Sequence, residues 1–262
     1  MGRSKFAPLV VARVQPWPHD GIIAGSGYYE LPGLLQRNDQ TIDTQYGEAT
    51  VSTGTWDGVE VAFVARHGGD HSIPPNAINY RANVKALAEL GVRSIFAVNV
   101  VGSLVLDRGP GSLFIVDDFI EFTQGRQSTF FDQPGEVTHT DMTSVYDPEL
   151  RQTLKQAAEF EGQHVTDSAT YVCVDGPRFE TPAEIRMFAQ MGAHVVGMTG
   201  YPEVALAREA GLRYCSIAVV SNLAAGMTED VVEEKEIWAA LEATKDPVFR
   251  ILKRCVQLRA TD

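Results

Sequence analysis

A chain of 262 residues is long enough for one large domain or two small ones, and 44% hydrophobic with 21% charged residues supplies a sizeable core. The formal charge of −12 argues against a non-specific nucleic-acid role, which needs clustered Lys and Arg. No apolar run approaches the ~18 residues that a membrane span requires.

Residues 1–20 carry a short apolar patch broken by Arg13 and followed by prolines, which is no signal-peptide core. Phe6 stands where a myristoylation pattern requires Ser or Thr. This stretch reads as an N-terminal extension ahead of one domain over 21–262. Ile22-Ile23-Ala24 is strand-like and runs into Gly25-Ser26-Gly27, and the β-rich run Val59 to Ala65 ends at Arg66-His67-Gly68. Ile78, Ala82, Ala86 and Leu90 recur at spacing four, which predicts a helix over 76–90 closed by Gly91. Ile95 to Val98 predicts a short buried strand leading into a loop over 99–103, and Phe114-Ile115-Val116 follows a Gly-Pro-Gly turn. Residues 147–160 read as a helix and 169–174 as a strand. Thr181-Pro182-Ala183-Glu184 is a capping box with proline at the first helical position. A strand over 195–198, a helix over 202–210, a last core strand over 214–221 and a helix over 233–258 complete the series. Strand and helix in alternation, with no long linker or repeat, predict a single α/β domain whose central sheet is covered on both faces.

In such sheets ligands bind beyond the C-terminal ends of strands, and four junctions there present polar groups. Gly25-Ser26-Gly27 admits an anion to backbone N–H groups and adds a hydroxyl, although a simple tight turn reads equally well. Neither a dinucleotide fingerprint nor a Walker loop is present. The Arg66 fork matches phosphate oxygens, yet a charged residue ending a buried strand is, in isolation, more often a salt-bridged structural arginine. The Asn99–Ser103 stretch and Met198-Thr199-Gly200 are the other two junctions. Asn222, after the apolar run 215–220, offers both a donor and an acceptor, which suits the N7/O6 edge of a 6-oxopurine. Phe179-Glu180 offers a ring to stack on a base and a carboxylate to accept from it, or simply a core phenylalanine and a helix-start glutamate. His67 and His71 are the closest histidine pair and lie in a Gly- and Pro-rich loop, so no metal site is expected. No Gly-x-Ser-x-Gly elbow supports a covalent serine mechanism. Cys173, Cys215 and Cys255 lie far apart in apolar runs and read as buried free thiols, which suits a cytoplasmic location.

Taken together, GSG (25–27), ARHG with a further His at 71, NYRAN (79–83), NVVGSL (99–104), GPRFET (176–181), GMTGYPEVALARE (197–209) and SNLAAG (221–226) resemble the trimeric purine nucleoside phosphorylase and methylthioadenosine phosphorylase family. The resemblance spans about residues 21–258 and implies an α/β sandwich around a mixed, distorted sheet flanked by helices. It implies that Ser26, Arg66, His67, Thr199 and the Val100 N–H hold phosphate, where relatives usually have alanine at the position of Val100. Phe179, Glu180, Val196, Met198 and Asn222 would then hold base and ribose, with Asn222, Glu180 and His67 carrying the chemistry. His139 matches a residue that a neighbouring subunit lends to the site. A homotrimer, no cofactor and inorganic phosphate as co-substrate are implied, with neither nucleic acid nor membrane as a partner.

Relatives acting on methylthioadenosine are similar to one another in having aspartates at the positions of Asn222 and Ala224, which suit a 6-amino base; here both are absent. The expected base is therefore hypoxanthine or guanine. Inosine and guanosine phosphorylases of the family use a late histidine for the 5′-hydroxyl, and no histidine follows His194. Val231, Val232, Ile237 and Trp238 instead suggest an apolar wall, suited to a 5′-methylthio group. The stretches 73–83, 123–131, 137–142 and 197–203 most resemble members acting on S-methyl-5′-thioinosine, the expected substrate. The alternatives are methylthioadenosine phosphorylase, a general inosine/guanosine phosphorylase, a nucleoside-binding protein without turnover, and a hydrolase.

Overall fold

The computed structural model describes residues 19–229 and 233–260. In chain order the elements are β1 (Asp20–Ala24), β2 (Leu35–Thr44), β3 (Gly47–Trp56), β4 (Val59–Ala65), α1 (Tyr80–Glu89), β5 (Ser94–Ser103), β6 (Leu113–Ile115), β7 (Asp118–Phe122), α2 (Pro148–Phe160), β8 (Val165–Thr166), β9 (Thr170–Val174), α3 (Pro182–Gln190), β10 (Val195–Gly197), α4 (Gly200–Glu209), β11 (Arg213–Leu223) and α5 (Glu234–Arg259). The strands form one mixed sheet ordered β2-β3-β4-β1-β5-β10-β9-β7, with β11 along β5 and the short β6 and β8 beyond it.

Successive strand residues point to opposite faces, and both faces here are buried. Ile23, Ile95, Ala97, Ala218 and Val220 pack into one core with α1 and α4 residues such as Ala82, Leu87 and Leu206. Ile22, Phe96, Val98, Ile217 and Val219 pack into a second core with Leu150 and Leu154 of α2 and Val248, Ile251 and Leu252 of α5. A smaller cluster of Leu104, Val172, Ile185, Phe188 and Val196 seats α3. The Thr181–Glu184 capping box is present.

Several boundaries differ from the sequence reading. Asp20, assigned above to the extension, begins β1 and pairs between Val61 and Ser94. Helix α1 starts at Tyr80 because Asn79, whose side chain accepts from the Ala82 N–H, is its cap; residues 75–77 form only a 3-10 turn. The β2–β3 hairpin has no counterpart in the reading, since β2 is mostly exposed and lacks apolar alternation. Residues 99–103 are not a loop: β5 runs on through Ser103, held along its whole length by β11.

That long pairing shapes the site. With β11 occupying one edge of β5, the other edge is shared by β1 at 94–97 and β10 at 102–103. Residues 98–101 have no strand on that edge. β1, β4 and β10 all end around this gap.

Tyr171, fully buried on β9, accepts hydrogen bonds from the Thr199 and Gly200 N–H groups at 3.2 and 3.3 Å and so fixes the turn into α4. A Cβ on Gly197 would overlap its hydroxyl. Gly197→Ala is expected to lower stability by about 1–3 kcal/mol, as overpacking does. A shifted denaturant midpoint with unchanged slope checks this.

Candidate active site

A cavity of about 360 Å³ opens over the gap in β5. Gly25 and Ser26 reach it from the end of β1, Arg66 and His67 from the end of β4, and Val100 from β5 itself. Val196, Met198 and Thr199 come from β10 and its following turn, Asn222 from β11, and Phe179 and Glu180 from the segment before α3. One cavity thus gathers every site residue named from the sequence except His139. That histidine lies in the exposed stretch between β7 and α2 and takes no part in this wall.

Arg66 unites the two readings left open above. Its side chain is fully buried, and Nε and Nη2 form a two-point pair with Glu203 at 2.9 and 2.8 Å. Nη2 also donates to the Ile23 carbonyl at 3.3 Å, and Nη1 to the Val98 carbonyl at 2.7 Å, inside the gap. A guanidinium has five N–H donors; four are engaged and one on Nη1 remains. A Cβ on Gly25 would lie 2.9 Å from Nη1, so glycine keeps this face of the guanidinium open. Arg66 is both an ion-paired structural arginine and a wall of the cavity.

His67 is buried, and its Nδ1 lies 2.8 Å from the Ile73 carbonyl, which can only accept. The Ile73 N–H returns a bond to the His67 carbonyl at 3.0 Å, which pins the intervening loop at both ends. Burial pushes the imidazole pKa down to about 4; the Ile73 bond opposes this, while the charge of Arg66 and the neighbouring His71 add to it. Nε2 faces Gly25, 3.6 Å from where a Cβ would stand.

A buried relay orients Thr199. Ser216 Oγ donates to Asn99 Oδ1 at 2.6 Å, and Asn99 Nδ2 donates to Thr199 Oγ1 at 3.0 Å. Having accepted from Asn99, the threonine hydroxyl keeps its own hydrogen to donate into the cavity. Val100 lies two residues beyond Val98, so its peptide N–H points to the same edge of β5. At the other side, Ser221 Oγ donates to Asn222 Oδ1 at 2.7 Å, and Asn222 Nδ2 donates to the Leu223 carbonyl at 2.8 Å. One amide hydrogen and one oxygen lone pair remain. The half-buried Glu180 has its carboxyl raised above the usual range by desolvation. Phe179 is 50% exposed, so its ring is available rather than locked in the core.

At the far end, Ile237 and Trp238 of α5 line the cavity as the sequence suggested; Val231 and Val232 lie outside the described residues. The wall is not purely apolar, because Glu234 and His71 also line it. Trp238 Nε1 donates to Glu234 at 3.2 Å, and the His71 ring lies 6.0 Å from Trp238 and 4.8 Å from His67. Sequence reasoning missed Glu203, the Ser216–Asn99 relay, His71 as a wall and Glu234. A glutamate on an otherwise apolar helix, as in Tyr201-Pro202-Glu203-Val204-Ala205, was the available signal for a buried cation. Among the described residues no group of three or more His, Cys, Asp or Glu could hold a metal ion, and no helix is long and apolar enough to cross a membrane.

Comparison with known proteins gives the family. Residues 19–257 match the family model described as the phosphorylase superfamily. The chain is 42% identical over 247 residues to a 6-oxopurine nucleoside phosphorylase of Pyrococcus furiosus, covering 92% of this chain and 93% of the relative. It is 45% identical over 233 residues to a probable S-methyl-5′-thioinosine phosphorylase of Methanocaldococcus jannaschii, covering 89% and 88%. A solved methylthioadenosine phosphorylase from Schistosoma mansoni in complex with adenine superposes with a TM-score of 0.88 at 32% identity, covering 94% and 93%. The α/β fold with its mixed sheet is therefore that of these enzymes, and the chain belongs to the phosphorylase superfamily.

Proposed function

We propose that this protein catalyses phosphorolysis of 6-oxopurine nucleosides, with S-methyl-5′-thioinosine preferred, to hypoxanthine and 5-methylthioribose 1-phosphate. The observation that carries this reading is the convergence, over bare Gly25, of the spare Arg66 donor with His67, in the cavity that also holds the Thr199 hydroxyl and the Asn222 amide. Ser26, Arg66, Thr199 and the Val100 N–H hold phosphate, with His67 beside them. Phosphate attacks C1′ as the bond to N9 loosens through an oxocarbenium-like state, without a covalent intermediate and without a cofactor. The remaining donor and acceptor of Asn222 meet O6 and the protonated N7 of the leaving base, while Glu180 accepts from its ring N–H and Phe179 flanks it. Val196 and Met198 contribute to the base and ribose side of the pocket. Electrostatic stabilisation of the separating charges supplies most of the rate.

Asn222 and Ala224, in place of two carboxylates, argue against a 6-amino base, and two relatives are named for 6-oxopurine and methylthioinosine substrates. A second reading, a general inosine/guanosine phosphorylase, is favoured by Glu234 and His71, which could meet a 5′-hydroxyl where an apolar wall was expected. A binding protein without turnover has no need of the phosphate donors. The working enzyme is a homotrimer in which the partner subunit's His139 completes the site. The exposed apolar side chains Phe122 and Met187, which share a second cavity with Glu180, support such subunit contacts. The three buried free cysteines support a cytoplasmic location.

Purine release from S-methyl-5′-thioinosine, methylthioadenosine, inosine and guanosine is expected only with phosphate, and fastest from S-methyl-5′-thioinosine. Faster release of adenine from methylthioadenosine would refute the base assignment, and release without phosphate would refute phosphorolysis. Asn222→Ala is expected to lower kcat by about 10² to 10³, the effect of removing a transition-state hydrogen bond. Asn222→Asp is expected to shift relative kcat/KM toward 6-aminopurines, and an unchanged ratio would remove Asn222 from base selection.

A further inference from the structure

We infer that the anion seat selects an oxyanion that still carries a proton, hydrogenphosphate rather than sulfate, because His67 turns a nitrogen lone pair into it. The inference rests on the phosphate site proposed above and adds to it the protonation state of the anion.

The proton count follows from hydrogen-bond chemistry. The Ile73 carbonyl has no hydrogen to give, so the proton of the 2.8 Å contact sits on His67 Nδ1. A neutral imidazole has one N–H only, which leaves Nε2 bare. The groups facing the ring favour the neutral form: Arg66 and His71 are both basic, and the carboxylate that compensates Arg66, Glu203, is spent on the guanidinium in a two-point pair. Nε2 has no protein partner among the described residues and faces Gly25 beside Arg66 Nη1.

The rest of the seat consists of donors: the last Arg66 N–H, the Thr199 hydroxyl aimed by Asn99, the Ser26 hydroxyl and the Val100 N–H. Hydrogenphosphate matches this set, with three bare oxygens for the donors and one P–OH to give its proton to Nε2. Sulfate has the same shape and charge but no proton. Its fourth oxygen would turn a lone pair toward the lone pair of Nε2. With the P–OH held by His67, it is an unprotonated oxygen that is left to attack C1′, and no proton has to leave before the bond forms.

The test is anion binding to the full chain by titration calorimetry in mildly alkaline buffer, using phosphate, arsenate and sulfate. Sulfate is expected to bind about ten- to a hundredfold more weakly than phosphate, the range for leaving a buried hydrogen bond unmade. Arsenate, which also carries a proton, is expected to follow phosphate. Ring ¹⁵N shifts are expected to report His67 Nε2 as unprotonated, and to move when phosphate but not sulfate is added. His67→Asn keeps a donor toward the Ile73 carbonyl and removes Nε2, so it should bring the two anions close to parity. Equal binding of sulfate and phosphate by the unmodified protein, a protonated Nε2, or a full preference surviving His67→Asn would each overturn the inference. Turnover is scored separately. A retained preference without phosphate-dependent purine release would sink the phosphorylase reading alone, and equal anion binding with release intact would sink this inference alone.

Discussion

The interrupted edge of β5 is the constraint from which the site follows. A strand in the middle of a sheet normally has both edges paired, because buried peptide groups left unpaired are costly. Here β11 fills one edge completely, while β1 and β10 divide the other and leave residues 98–101 uncovered. Arg66 Nη1 reaches in from the end of β4 to take the Val98 carbonyl. The next peptide group on that edge, at Val100, opens on the cavity. The cavity is thus a missing stretch of ladder in the core, which explains why residues so distant in sequence meet there.

Charge is handled in the same economical way. A buried arginine facing a dianion would bind it tightly and release product slowly, yet Arg66 is already neutralised by Glu203, whose carboxylate also accepts from the Tyr214 hydroxyl at 2.8 Å. His67 next to it is uncharged at neutral pH. The cavity wall therefore presents oriented donors rather than net positive charge, in a protein whose formal charge is −12. The Arg66–Glu203 pair is best understood as an orienting device, because a buried ion pair adds little net stability while losing one partner costs about 3–5 kcal/mol. The relay from Ser216 through Asn99 to Thr199 has the same character without charge.

Much of this was legible in the sequence, for a definable reason. Ser26, Arg66, His67, Thr199 and Asn222 each follow an apolar β-run, and residues at strand ends are displayed at one rim of an α/β sheet. Spacing-four periodicity found α1, and the capping box found α3, because their apolar faces meet the core. The β2–β3 hairpin escaped because its outer strand is solvated and polar, so nothing alternates. Glu203, Asn99 and Ser216 escaped as partners because their roles depend on which strands lie side by side. Asn99 and Thr199 are a hundred residues apart, and only the β5–β11 and β5–β10 pairings make them neighbours.

The α5 end of the pocket shows the limit of arguing from a local segment. The absence of any histidine after His194 is correct as a statement about the last helix, and Ile237 and Trp238 do present apolar surface. Yet a pocket wall is shared by every element that ends near it, and the loop after β4 supplies His71 against Trp238. That loop holds His71 at a φ of 58°, a left-handed conformation that costs a residue with a side chain about 1 kcal/mol or more. Such strain persists where the surroundings over-determine it, and here the His67–Ile73 bonds close the loop around it. The wall there is then composite: an indole and an isoleucine present apolar surface, while an imidazole and the Glu234 carboxylate present polar groups. The character of that wall is therefore set by the loop after β4 and α5 together and by neither alone.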